Sequence, residues 1–177
     1  MRAAIVAQFG GPDNIHVQMD LPEPKLTQPT QVLIDVYASG VNPVDTYIRS
    51  GLYGRLPSLP YTPGRDGSGI VRQVGEAVKH VKVGDKVWFY DPQTGSAADV
   101  CIAEKVFLLT KGVSFDEGAC FIPYLTAYRG LFTLGQAKEF EKNCGSPLHL
   151  LENMKEGVRT ESYSSSCDTI KLLPLEI

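Results

Sequence analysis

Glycine and proline interrupt residues 1–112 so often that only short regular elements fit between them, and this limits the fold class. The intervals are apolar runs of strand length. The clearest is Gln31–Ala38, where Val32, Ile34, Val36 and Ala38 fall on one face and Asp35 and Tyr37 on the other, the two-residue period of a strand. Ser68–Val74 and Lys86–Tyr90 read as further strands, and the turns Gly75-Glu76 and Gly84-Asp85 bracket the segment between them. Ala97–Ala103 and Val106–Leu109 complete a set that predicts a mainly β fold, a barrel or sandwich, with short helices.

Two helices are punctuated clearly enough to be read. Asn42 stands as an N-cap, Pro43 at the first helical position and Gly51 as the stop. The second helix opens with Ser114-Phe115-Asp116-Glu117, a capping box in which Ser114 and Glu117 satisfy each other's free amides. It is expected to break at Pro123 and to resume through Tyr124–Leu134.

Composition excludes several classes. The 177 residues are 43% hydrophobic and 21% charged, a globular balance, and suffice for a buried core. A net charge of −3 without a basic cluster speaks against nucleic acid as a partner. No apolar run approaches the ~20 residues of a membrane span, so no membrane partner is expected. The N-terminus, cut short by Gly10-Gly11-Pro12, does not read as a signal peptide, which leaves the cytoplasm as the expected compartment. Cys101, Cys120, Cys144 and Cys167 are widely spaced and suggest no zinc site, so they read as reduced cysteines serving as small apolar residues.

From Glu139 the pattern changes. Residues 139–177 hold Asn143–Pro147, a short amphipathic stretch His149–Lys155 and the polar run Glu161–Ser166, and are expected to be poorly ordered. The strand-like ending Thr169–Ile177 offers an alternative in which this segment returns to the β domain.

Six elements recur in a recognisable order: Phe9–Pro12, Val32–Ala38, Gly40–Gly51, Tyr61–Gly69, Val83–Val87 and Ile122–Arg129. Together they resemble the N-terminal, GroES-like half of the zinc-free medium-chain dehydrogenases/reductases, in the quinone oxidoreductase (zeta-crystallin) branch, over residues 1–138. The resemblance implies a contorted β-barrel at 1–112 and connecting helices at 113–138 that would lead into a nucleotide-binding Rossmann domain. No glycine-rich phosphate loop appears after residue 130, and the 39 residues beyond 138 are too few for a doubly wound sheet. The expectation is therefore a truncated or splice-derived form, with the Rossmann domain absent and cofactor binding impaired.

Zinc-dependent members of the wider family carry a cysteine and a Gly-His-Glu triplet where this chain has Asn42 and Gly64-Arg65-Asp66, so no metal is expected. The implied cofactor is NADPH and the implied acceptor a quinone or related carbonyl compound, with the protein positioning the nicotinamide. Under the resemblance Asn42, Pro43, Val44, Asp45, Thr46 and Tyr47 line the nicotinamide end of the cleft, Tyr53 guards the acceptor side and Thr126 lies near the cofactor. Each has a plainer reading: a helix cap for Asn42, a buried structural ring for Tyr47, a surface aromatic for Tyr53 and a self-satisfied helix threonine for Thr126. Arg49 and Arg65 either face phosphate or acceptor oxygens or are simply solvated. Two other functions stand beside the reductase: a catalytically silent binding or regulatory domain, and a structural crystallin-type module. In either, the face that would pack on a cofactor domain is open to a second copy or another protein.

Overall fold

The computed structural model describes residues 1–134 and the two-residue strand Thr169–Ile170. The chain begins with β1 (Ala3–Val6), which pairs antiparallel with β2 (Ile15–Gln18). Then follow β3 (Val32–Gly40), helix α1 (Pro43–Arg49), β4 (Asp66–Val74), β5 (Lys86–Tyr90), β6 (Val100–Ala103) and β7 (Val106–Leu108). Helices α2 (Phe115–Gly118) and α3 (Phe121–Tyr128) come next, a π-helical turn covers Arg129–Leu134, and β8 is Thr169–Ile170.

The main sheet has the order β6-β3-β4-β5-β7, and every pairing is antiparallel. β6 and β7 sit at opposite ends of that order, yet only Glu104 and Lys105 connect them. So short a link spans at most about 10 Å, so the sheet curls until its two ends meet. That closure makes the barrel. Its interior is one cluster built from all five strands, including Val32, Ile34, Val71, Phe89, Cys101 and Val106, each no more than 1% exposed.

Alternation in Gln31–Ala38 predicts one buried face, and β3 departs from it. Leu33 is also buried, in a second small cluster with Val100 and Ile102 that Met1 and Leu26 cover. The register of β3 against β4 slips between Leu33 and Ile34 and again between Val36 and Ala38, so strict two-residue periodicity fails there. Both faces of the strand's first half are thus covered.

The first helix forms as its caps dictate. Asn42 has extended backbone at the N-cap, Pro43 opens the helix, and Gly51 takes φ +79 just past its end. There Leu52 N–H reaches Tyr47 O at 3.0 Å and Gly51 N–H reaches Ile48 O at 3.0 Å, the paired bonds of a Schellman stop. The Ser114 box is present: Glu117 N–H donates to Ser114 Oγ at 3.2 Å, and Ser114 N–H to Glu117 Oε2 at 2.7 Å. The expected break at Pro123 falls earlier, at Ala119-Cys120, and Pro123 lies in the first turn of α3. Proline needs no donor in a first turn, but its ring would collide with the carbonyl four residues back, that of Ala119. The helix is broken where the clash would occur, not at the proline itself.

Thr169–Ile170 pairs with Ser39–Gly40 on the β6 side of β3, so the closing segment does return to the β domain at these two residues. The expectations for residues 135–168 and 171–177, including the amphipathic stretch and the disordered tail, lie outside the described residues. Cys101 is a free, fully buried thiol, as expected, whereas Cys120 is disulfide-bonded and departs from the reduced-cysteine reading.

Candidate functional site

Helix α1 divides the residues that the sequence singles out. At about 100° per residue, Pro43, Thr46 and Tyr47 fall on one side, and Asp45 and Ile48 on the other. Pro43 and Thr46 are exposed, and Tyr47 is 54% exposed, so its ring is not sealed in a core. Thr46 Oγ1 donates back to Pro43 O at 2.7 Å. Val44 is half-buried.

Asp45 and Ile48 form part of the wall of an open cleft of about 920 Å³, completed by Tyr53, by the loop through Pro60 to Arg65, and by Asp91 to Gly95. Asp45 is held against α1, where its Oδ2 accepts the Asn42 backbone N–H at 2.8 Å. Burial pushes the Asp45 carboxyl above its ordinary value, opposed by that bond and by the Arg65 charge. Across the cleft Asp91, held at φ +55, accepts Arg65 Nη2 at 2.5 Å and Lys105 Nζ at 2.9 Å. The hydrogen bond from Lys105 holds the Asp91 carboxyl below the usual range. Arg65 is therefore tied at the cleft wall. Arg49 donates to Gly10 O at 2.7 Å and serves the N-terminal loop.

Beneath α1 lies a polar centre within the fold. Asn42 is 4% exposed and Asp66 fully buried, and Asn42 Nδ2 donates to Asp66 Oδ1 at 2.7 Å. The second oxygen, Oδ2, accepts the backbone N–H of Ile122 at 2.9 Å, in the first turn of α3. Burial raises the Asp66 carboxyl to about 6, the two hydrogen bonds only partly offsetting it, with Asp45 adding repulsion and Arg65 relief. One helical turn on, Thr126 is exposed and its Oγ1 bonds Ile122 O at 2.8 Å.

The structure thus brings Asp45 and Tyr53 into one cleft and links Asn42 to the base of the helix that bears Thr126. It places Pro43, Thr46 and Tyr47 on the opposite side of α1. Three residues were missed as site candidates from sequence. Asp66 was noted only for standing where a metal ligand would be, and its burial depends on β3, α1 and α3 converging. Asp91 lies in a strand-end loop with no motif around it. Tyr61 lines the cleft, and its hydroxyl is the buried side-chain oxygen without a hydrogen-bond partner among the described residues. Burial, with the Asp45 charge, pushes the Tyr61 phenol up. Among the described residues, no three His, Cys, Asp or Glu side chains come together as a metal group. No helix there is long and apolar enough to cross a membrane.

Comparison with known proteins fits this geometry. Residues 28–129 match the alcohol dehydrogenase GroES-like domain. The chain is 46% identical to the quinone oxidoreductase of Mus musculus over 144 residues, which covers 80% of this chain and 43% of that protein. A crystal structure of Escherichia coli quinone oxidoreductase complexed with NADPH superposes with a TM-score of 0.67 at 34% identity, covering 74% of this chain and 40% of that one. A human synaptic vesicle membrane protein VAT-1 homolog-like protein superposes with a TM-score of 0.71 at 33% identity, covering 78% and 45%. The chain spans less than half the length of the curated relatives it matches. With the matched segment running from before β3 through α3, the chain belongs to the alcohol dehydrogenase GroES-like domain family.

Proposed function

We propose that residues 1–112 form the acceptor-side domain of an NADPH-dependent, zinc-independent quinone oxidoreductase, with 113–138 as the connection towards a cofactor domain. The observation that carries this is the cleft between α1 and the Pro60–Arg65 loop, in a chain 46% identical to a quinone oxidoreductase. NADPH, when bound, supplies the hydride for a quinone or related carbonyl acceptor. Thr126 and Tyr47, exposed outside the cleft, offer hydroxyls and an aromatic ring to its uncharged nicotinamide end, and buried Asn42 braces the start of α1 behind them. Pro43 to Tyr47 on α1 present the Tyr47 ring, α3 presents Thr126, and Asp45, Tyr53 and Arg65 face the acceptor. These side chains bind and orient the two reactants. A cytoplasmic location and association through an open face, with a second copy or another protein, belong to the same proposal.

A second reading is favoured by one feature, the exposure of Tyr47 and Thr126 outside the cleft. In it the chain binds NADPH poorly or not at all and acts as a silent binding or regulatory domain, or as a structural crystallin-type module.

Fluorescence titration of the purified chain with NADPH separates the two. Micromolar affinity that weakens at least tenfold in Tyr47→Ala supports the reductase domain and ends the silent reading. No saturable binding up to millimolar NADPH leaves the second reading standing.

A further inference from the structure

We propose that Asp66 is a positioning residue, whose ionised carboxylate locks Asn42 to the base of α3 so that Asn42 and Thr126 are held in one fixed relation. The functional consequence rests on the reading of the cleft above; the geometry does not. Both Asp66 partners are donors, Asn42 Nδ2 on Oδ1 and Ile122 N–H on Oδ2. A carboxylate accepts at both oxygens, whereas a carboxylic acid carries an O–H that the Ile122 N–H cannot receive and that Asn42 receives only by turning its amide over. The same carboxylate fixes the Asn42 amide, because only its NH₂ end can face Asp66.

The link then runs on through the backbone of Ile122, from its N–H across its α-carbon to its carbonyl, which takes the Thr126 hydroxyl. Two residues more than eighty positions apart in sequence are thereby tied through one buried carboxylate. The surroundings leave it little freedom. A Cβ added at Gly40 would stand 2.2 Å from Asp66 Oδ1 and 2.5 Å from Ala119 O. Burial places the Asp66 titration at about 6, so the lock opens within an accessible pH range. The charged groups acting on it are Asp45 from α1, which raises the value, and Arg65 from the preceding loop, which lowers it. β3 contributes Ser39 and Gly40, β5 brings Tyr90 opposite Asp66, and the first turn of α3 carries Phe121, Ile122, Pro123 and Tyr124 with no formal charge.

The experiment is a proton–nitrogen NMR titration of the full chain from pH 8 to 4.5, following the Asn42 side-chain amide and the Ile122 backbone amide. Both signals should move on one shared curve, and both should become flat in Asp66→Asn. Separate midpoints, flat wild-type signals or a titration surviving in D66N would overturn the proposal. Should D66N fail to fold, the shared or unshared wild-type curve still decides. A parallel NADPH titration should show affinity falling about fourfold between pH 7.5 and 5.5, following the ionised fraction of Asp66. Measurable but pH-independent NADPH affinity would overturn the positioning role. No NADPH binding at any pH, with the two amides titrating together, would remove only the reductase reading and leave the lock in place.

Discussion

The two ends of β3 are equally buried and built on opposite principles. At its start Val32, Leu33 and Ile34 sit in apolar surroundings on both faces, against Val71 and Phe89 on one side and Val100 and Ile102 on the other. At its finish Ser39 meets Ser96 Oγ to Oγ at 2.7 Å, and Gly40 makes room for Asp66, which holds Asn42. The apolar end gains stability from area removed from water, without regard to direction. The polar end gains little net stability from its hydrogen bonds, because each replaces one to water, but it fixes directions. One strand therefore carries apolar core at one end and the buried polar centre at the other.

The contrast breaks most easily at the apolar end. Phe89→Ala empties the centre of the barrel and should cost about 3–5 kcal/mol in urea unfolding, with the cleft lost together with the fold. A loss under about 1 kcal/mol would mean that the barrel core is not where stability resides. At the polar end Gly40→Ala forces a methyl onto Asp66 and the Ala119 carbonyl. It should cost about 1–3 kcal/mol and shift the Asn42 amide signal while the barrel's methyl spectrum stays in place. Spread of the change through the barrel would erase the distinction between the two ends.

The smallest effect tests the sign of the polar end's energetics. Because Asp66 in the fold titrates at about 6 against an ordinary 3.8, folding favours its protonated form. Its contribution is present in full below pH 3.8 and is lost as pH rises through about 6. Between pH 7 and 5 the chain should therefore gain about 1 kcal/mol of stability from Asp66 in urea unfolding, and Asp66→Asn should remove that share of the gain. The raised Asp45 value acts in the same sense. Stability that falls steadily from pH 7 to 5 would show that Asp66 is not desolvated as the structure has it.

Much of the local structure was legible because its causes are local. Lys86–Tyr90 matches its strand residue for residue, and α1 begins and ends where Pro43 and Gly51 place its limits. Pro123 misled because the clash a proline makes is felt four residues upstream, so the break appears at Ala119. Leu33 misled because alternation assumes one wet face, and here β6 and the N-terminal residues cover the second. The motif let Asn42 and Tyr47 be named as candidates. That α1 turns Asp45 into the cleft and Tyr47 away from it follows from helix geometry, but which side is open depends on what packs against each.

The sequence by itself determined the short strands, the helix caps and the family, because period, punctuation and motif order are properties of neighbouring residues. Only the tertiary structure decided that the barrel closes through Glu104-Lys105, that Arg65 is tied to Asp91, and that Asp66 is buried between α1 and α3. Those depend on groups far apart in the chain meeting in a medium with little water, where burial sets the strength of a charge and the number of donors sets its orientation.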